Sequence, residues 1–248
     1  MRWRFIELEA RNACSNMAID QAVMEGVAKG ASEPTIRFYR WLPSAVTIGR
    51  FQSMMDEVDV GRCAELGVSH VRRITGGGAV YHDYAGEVTY SVIAPEAYFP
   101  NGIRESYAFI CDWVVSGLLG VGIKAKFVPI NDIVTDGKKI SGNAQTRRGG
   151  VLLQHGTILY NLEMAKMFSL LKISKEKISD KLIKSVEDRV TCVSRYSDIT
   201  IDGLYRELVR AFSDGKDHYI GSYTEAEKVW GEGLESSVYG SDDWNFSR

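Results

Sequence analysis

Ile133-Val134-Thr135-Asp136-Gly137-Lys138-Lys139-Ile140-Ser141-Gly142 contains a two-residue hairpin. Both central residues of such a turn need positive φ, which Gly accepts freely and Asp tolerates, so Asp136-Gly137 between strand-forming runs marks the reversal. Pairing outward from the turn sets Thr135 opposite Lys138 and Val134 opposite Lys139. An unbroken register puts Asp132, Lys139 and Ser141 on one side and Ile133 with Ile140 on the other, where they can anchor a core. Downstream, Gly149-Gly150 predicts a second hairpin that returns through Val151–Leu159 and brings His155 opposite or near Ala144.

Outward from this sheet, strands and helices interleave. Trp3–Leu8 reads as a strand; Ser15 is placed to cap a helix whose apolar residues Ala18, Ile19, Ala22, Val23 and Val27 recur at helical spacing until Gly30. Strand-like runs follow at Thr35–Tyr39, Ala45–Ile48, Val68–Arg72, Ala79–His82, Glu87–Ile93 and Lys124–Val128, with a short helix over Val58–Leu66. Ser106–Leu119 forms an amphipathic helix through Phe109, Ile110, Trp113, Val114 and Leu118. From Glu163 the chain reads as mainly helical, with helices near Ala165–Leu171, Gly203–Phe212 and Thr224–Trp230. With no internal repeat or long linker, the expectation is one α/β (α+β) domain over residues 1–248, a mixed sheet flanked by helices.

Composition narrows the function classes. Thirty Lys+Arg against 32 Asp+Glu leave a formal net charge of -2, which gives no support to counterion-driven nucleic-acid binding. No apolar run approaches the roughly 18 residues of a membrane span and the N-terminus lacks a signal-peptide pattern, so the expected location is cytoplasmic. Four scattered cysteines, Cys14, Cys63, Cys111 and Cys192, include no CxxC pair, which argues for reduced, packed thiols rather than a zinc site or disulfide framework.

Three segments carry chemistry. In Arg72-Arg73-Ile74-Thr75-Gly76-Gly77-Gly78-Ala79-Val80-Tyr81-His82-Asp83, adjacent glycines let backbone N–H groups approach a ligand, and arginines beside them suit an anion. A plain tight turn is the competing reading, since neither the P-loop nor the GxGxxG pattern occurs. Asn131-Asp132 with Lys138 to Gly142 sets a lysine beside a carboxylate on a hairpin face, either a site for an α-phosphate or a solvated ion pair. Gln154-His155-Gly156-Thr157 offers an imidazole that either binds ligand or is satisfied in the core.

Together, in this order, these segments resemble the lipoate–protein ligase family within the wider biotin/lipoate ligase group. Arg72 to Asp83 looks like its RRxTGGGAVxHD motif, Asn131-Asp132 like its ND dipeptide, Lys138 to Gly142 like KKxSG, and His155 to Thr157 like HGT. The similarity runs from the opening helix through Arg50-Phe51-Gln52 to Asp243-Trp244-Asn245-Phe246. The resemblance implies a biotin/lipoate ligase-like fold, activation of lipoate by ATP with Mg²⁺ to lipoyl-AMP, and transfer to a lysine of a lipoyl-domain acceptor. Such acceptors are 2-oxoacid dehydrogenase E2 subunits and the glycine cleavage H protein. By the same resemblance Lys139 is catalytic, contacting carboxylate and α-phosphate. Arg72, Gly76, Gly77, Gly78, Ala79, Val80, His82, Asp132 and His155 complete the binding site, with no metal ligands assigned. Full-length ligases continue beyond the WNF segment into a small accessory domain. Here the sequence stops at Arg248, so a separate accessory protein is expected.

The main rival on the same fold is an octanoyltransferase that moves octanoate from acyl carrier protein through a cysteine thioester without ATP. One such group carries its cysteine before the hairpin, where this chain has Phe127-Val128-Pro129-Ile130-Asn131-Asp132; another uses a PCG segment, whose nearest counterpart is Cys192 in Arg189-Val190-Thr191-Cys192-Val193. A non-catalytic lipoyl-binding protein is a further alternative. The GRGRxGR-type loop of biotin ligases does not occur.

Overall fold

The computed structural model describes residues 2–172 and 188–248. Eleven strands occupy Arg2–Arg11 (β1), Thr35–Trp41 (β2), Ala45–Ile48 (β3), Ser69–Arg72 (β4), Val80–His82 (β5), Glu87–Pro95 (β6), Lys126–Val128 (β7), Asp132–Thr135 (β8), Lys138–Arg148 (β9), Val151–Leu159 (β10) and Asp217–Ile220 (β11). Eight form a sheet in the order β11-β1-β2-β6-β10-β9-β8-β7, and β4-β3-β5 form a second. β1 runs parallel to both its neighbours while the hairpin strands are antiparallel, so the sheet is mixed and flanked by helices, as expected.

The large sheet buries both faces. On one, Ile36, Phe38, Val92, Ile133, Ile140 and Ile158 pack with Ile110, Val114, Leu204 and Leu208 from the helices Ile103–Gly120 and Ile201–Ser213. On the other, Tyr39, Ile93 and Leu153 meet Met17, Ala18, Ala22 and Val23 of helix α1, Ala13–Ala28. Two-sided burial also encloses polar residues of β2 and β6, among them Arg37, Glu87, Thr89 and Ser91, so that each needs a partner inside the fold. Among the described residues no helix is long and apolar enough to cross a membrane.

Several local expectations shift. α1 is capped by Asn12, whose side chain accepts the Ser15 N–H at 2.8 Å, so the helix begins before Ser15. The short helix expected over 58–66 forms as Val60–Glu65, capped by Asp59, and is preceded by a further short helix, Met54–Glu57, capped by Ser53, with Val58 extended between them. Phe109 is 43% exposed rather than core. β11 interrupts the mainly helical stretch expected after Glu163, part of which lies outside the described residues.

The two hairpins form with the expected partners, Val134 opposite Lys139 and His155 opposite Ala144. A register shift between Ile133 and Val134, however, pairs Ser141 with Ile133 and Gly142 with Asp132. One inserted residue flips everything beyond it to the other face. Ser141 is therefore fully buried on the core side, and Gly142 takes its expected place beside Lys139 and Asp132.

Candidate functional site

A cavity of about 440 Å³ takes its walls from both sheets, a size within the usual range for small-ligand sites. Met17, Tyr39, Trp41, Met164, Met167 and Leu171 make its apolar part, and Gly77, Gly78, Arg73, His82, Lys139 and His155 its polar part. The triglycine segment connects β4 to β5 and crosses β3 closely. A Cβ on Gly49, at the end of β3, would lie 2.0 Å from the Gly77 carbonyl oxygen, and Gly77 itself has φ +101. Only glycine meets both demands.

Beneath this connector lies a continuous polar network. Arg73 is 5% exposed and donates to the carbonyls of Gly76 (2.9 Å) and Gly78 (2.8 Å), to Thr75 Oγ1 (3.1 Å) and to Thr47 Oγ1 (3.0 Å). Burial lowers its pKa to about 10, which leaves it charged at neutral pH. Thr75 Oγ1 is 2.8 Å from His155 Nε2, and His155 Nδ1 is 3.3 Å from Asp20 Oδ2. Thr47 Oγ1 is 2.9 Å from His82 Nε2, and His82 Nδ1 is 2.6 Å from Glu87 Oε1. His82 also stacks on Trp41, ring centroids 4.1 Å apart. Burial pulls the His155 imidazole below its ordinary pKa despite Asp20. Burial alone would raise Asp20, but the Arg37 guanidinium at 2.9 Å and the hydrogen bonds from His155 and Ser91 hold it below the usual carboxylate value.

The hairpin supplies the cation. Lys139 Nζ stands 2.7 Å from Asp132 Oδ1, with side chains 39% and 37% exposed. The backbone of Lys139 is clamped from the side, its N–H donating to the Arg189 carbonyl and its carbonyl accepting the Thr191 N–H, both at 2.8 Å. A Cβ on Gly142 would come within 2.8 Å of Lys139 Cε and Nζ, so the glycine two strand positions past Ile140 is the floor over which the lysine lies.

Of the residues expected at the site, Gly77, Gly78, Ala79, Val80, His82, Lys139 and His155 line one cavity, and Asp132 joins it through Lys139. Arg72 does not. Its guanidinium is consumed by the carbonyls of Trp244, Gly49, Arg50, Gln52 and Asn245, and it faces away because successive strand residues alternate sides. Gly76 is set back with its carbonyl turned to Arg73. Arg73, read from sequence only as one of a pair of arginines suited to an anion, is the one that faces the cavity; Asp20, Thr47 and Glu87 were not singled out, although an aspartate on the apolar stripe of α1 and a glutamate opening a buried strand are each signals of a paired charge.

None of the four cysteines, all within the described residues, lines the cavity. Burial pushes the thiols of Cys63 and Cys111 up to about 11 and about 12, and that of Cys14, bonded to the Tyr239 carbonyl, upward as well. Cys192 is 1% exposed, its sulfur 3.4 Å from Ser194 Oγ.

Comparison with known proteins corrects the chemistry expected from the motifs. Octanoyltransferase LipM of Brevibacillus brevis is 32% identical over 278 aligned positions, covering 100% of this chain and 99% of the relative. Octanoyltransferase LipM of Staphylococcus aureus is 32% identical, covering 99% of each. Among solved structures, the bipartite lipoate protein ligase of Thermoplasma acidophilum superposes with TM-score 0.90 at 31% identity, over 99% of this chain and 96% of that one. A lipoate-protein ligase A bound with ATP superposes with TM-score 0.86 at 29% identity, over 99% of both chains. The full-length octanoyltransferase relatives overturn the expectation of an ATP-dependent lipoate ligase, and with it ATP, Mg²⁺ and lipoyl-AMP. The motifs misled because the chain is similar along its whole length to proteins of both chemistries. A profile for the lipoyl protein ligase A/B catalytic domain matches residues 12–213, and with relatives of this identity along the whole chain, the protein belongs to that family.

Proposed function

We propose that the protein transfers an octanoyl group from a thioester on acyl carrier protein to the side-chain amine of a lysine on a lipoyl-domain acceptor, an E2 subunit or an H protein. The full-length octanoyltransferase relatives favour this chemistry. The observation that carries it is the Lys139 ammonium in the wall of a cavity that also holds the triglycine connector and an apolar interior. The acyl chain lies against Met17, Trp41, Met164 and Met167, and its carbonyl oxygen meets Lys139 and the triglycine backbone. As the acceptor amine attacks the carbonyl carbon, negative charge grows on that oxygen, and a cation fixed in a partly closed site stabilises it. The new C–N bond forms, the C–S bond breaks, and the departing thiolate takes up the proton released by the nitrogen. With no thiol in the cavity wall, the amine attacks the donor thioester itself rather than an acylated cysteine.

By likeness to the bipartite Thermoplasma acidophilum protein, a small accessory protein belongs to this proposal as a second partner, to be added and withheld in the same assay. Purified protein is incubated with octanoyl-acyl carrier protein and a lipoyl domain without nucleotide, and the acceptor is weighed by intact-mass spectrometry. One added octanoyl group is expected. Modification that occurs only with free acid plus ATP, never from the thioester, overturns the proposal.

A further inference from the structure

The buried network under the triglycine connector is more elaborate than a turn requires. Arg73 is held from two sides by arrangements of the same kind: carboxylate, imidazole, threonine. On one side Asp20 fixes His155 and His155 fixes Thr75; on the other Glu87 fixes His82 and His82 fixes Thr47. Each carboxylate accepts from Nδ1–H, which leaves each Nε2 as an acceptor for a threonine hydroxyl hydrogen. Both threonine oxygens are then turned with a lone pair toward Arg73, which donates to each at 3.1 and 3.0 Å. The guanidinium's remaining nitrogen grips the carbonyls of Gly76 and Gly78 on either side of Gly77. With those carbonyls held by Arg73, the Gly77 and Gly78 amides, for which no protein acceptor is found among the described residues, are left available in residues that line the cavity.

We infer that Arg73 is a positioning residue: braced by the Asp20–His155–Thr75 and Glu87–His82–Thr47 arrangements, it holds the Gly76 and Gly78 carbonyls inward so that the connector's amides face the acyl carbonyl oxygen. Arg73 does not touch the reacting atoms; it acts through the loop. A lysine there could keep the charge but not the planar fork that reaches two threonines and two carbonyls at once. This inference rests on the proposed acyl transfer for its kinetic consequence, but the loop geometry it describes can be tested without any activity.

Arg73→Lys and Arg73→Ala are compared with wild type by hydrogen exchange of 71–73 and 80–82, the hydrogen-bonded strand ends that the connector joins, and by steady-state octanoyl transfer, after circular dichroism and melting curves identify folded protein. Exchange there should rise about tenfold or more in both variants while α1 and the β9–β10 hairpin stay protected. Turnover should fall about a hundredfold with little change in the KM for the donor, as for loss of groups aimed at a developing oxyanion. Millimolar guanidinium should restore much of the loss in Arg73→Ala and none in Arg73→Lys, whose side chain fills the space. Unchanged exchange in folded variants overturns the inference, whatever the enzyme turns over. Altered exchange with kcat intact, a loss confined to KM, or failure of guanidinium to rescue a folded Arg73→Ala overturns its catalytic half. A wild-type protein that never transfers octanoyl defeats the proposed function instead and leaves the exchange result to judge the brace. If both Arg73 variants fail to fold, Thr75→Val, which removes one lateral contact, is read by the same exchange measurement, with unchanged protection counting against the brace.

Discussion

Lys139 Nζ and Asp132 Oδ1 are 2.7 Å apart, although the residues are seven positions apart in the chain, across a turn. The pair is more than a third exposed, and at such exposure an ion pair adds at most about 1 kcal/mol to stability. Its position in the cavity wall matters more. Lys139→Ala is expected to lower octanoyl transfer about a hundredfold or more while shifting stability by less than about 1 kcal/mol. Kinetics beside a thermal melt decide it; activity retained in Lys139→Ala excludes the ammonium from the reaction.

Direct attack on the donor thioester makes Cys192 dispensable. Cys192→Ser is expected to transfer octanoyl at a rate within about threefold of wild type, the scatter ordinary for a packing substitution. Intact-mass spectra of enzyme mixed with donor alone should show no covalent octanoyl group. An acyl adduct that disappears in Cys192→Ser, together with activity, would establish a cysteine relay.

Two glycines separate packing from chemistry. At Gly49 an added Cβ meets a backbone carbonyl at 2.0 Å, which cannot move without opening the triglycine connector. At Gly142 it meets only the end of the Lys139 side chain at 2.8 Å, which can swing aside. Gly49→Ala is therefore expected to cost about 3 kcal/mol or more. Gly142→Ala should melt near wild type yet lose most turnover, because the displaced atom is the ammonium nitrogen.

Acid should destabilise the fold in a defined window. The His155 imidazole is held below its ordinary value of 6.5 by burial, so as pH falls past 6.5 the unfolded chain takes up a proton that the folded chain refuses. Stability falls with pH from there down to the folded pKa of His155. Asp20, held below 3.8, acts in the same direction at lower pH, its stabilisation present above 3.8 and lost as pH drops through its folded pKa. Melting temperatures between pH 7.5 and 5 should decline, and the decline should shrink in a folded His155→Gln. A flat profile in wild type would mean that the folded chain takes up the His155 proton as readily as the unfolded one.

Much of this architecture can be read from sequence because its signals are local. Asp136-Gly137 specifies the hairpin and the facing of Val134 with Lys139, and the period of α1 specifies its apolar stripe. The bulge that moves Ser141 into the core is not local: it shows only in the pairing of Ser141 with Ile133 on one side and Ile158 on the other. Nor is the choice between Arg72 and Arg73. Strand alternation separates their sides, but the side facing the cavity is set by Trp244 and Asn245, over 170 positions away. The Asp20–His155 contact spans 135 positions and lay beyond any periodicity argument. The reaction was the least legible part, because a lysine over a glycine floor serves an acyl phosphate and an acyl thioester equally well.

Arg72, the last residue of β4, and Arg73 just beyond it lead in opposite directions, the second holding the triglycine connector and the first enfolded by the Trp244–Asn245 backbone. Loss of the Trp244 and Asn245 contacts would thus release Arg72, slacken β4 and be felt at the cavity on its far side. The 244–245 segment acts as a tie-rod for one wall of the cavity.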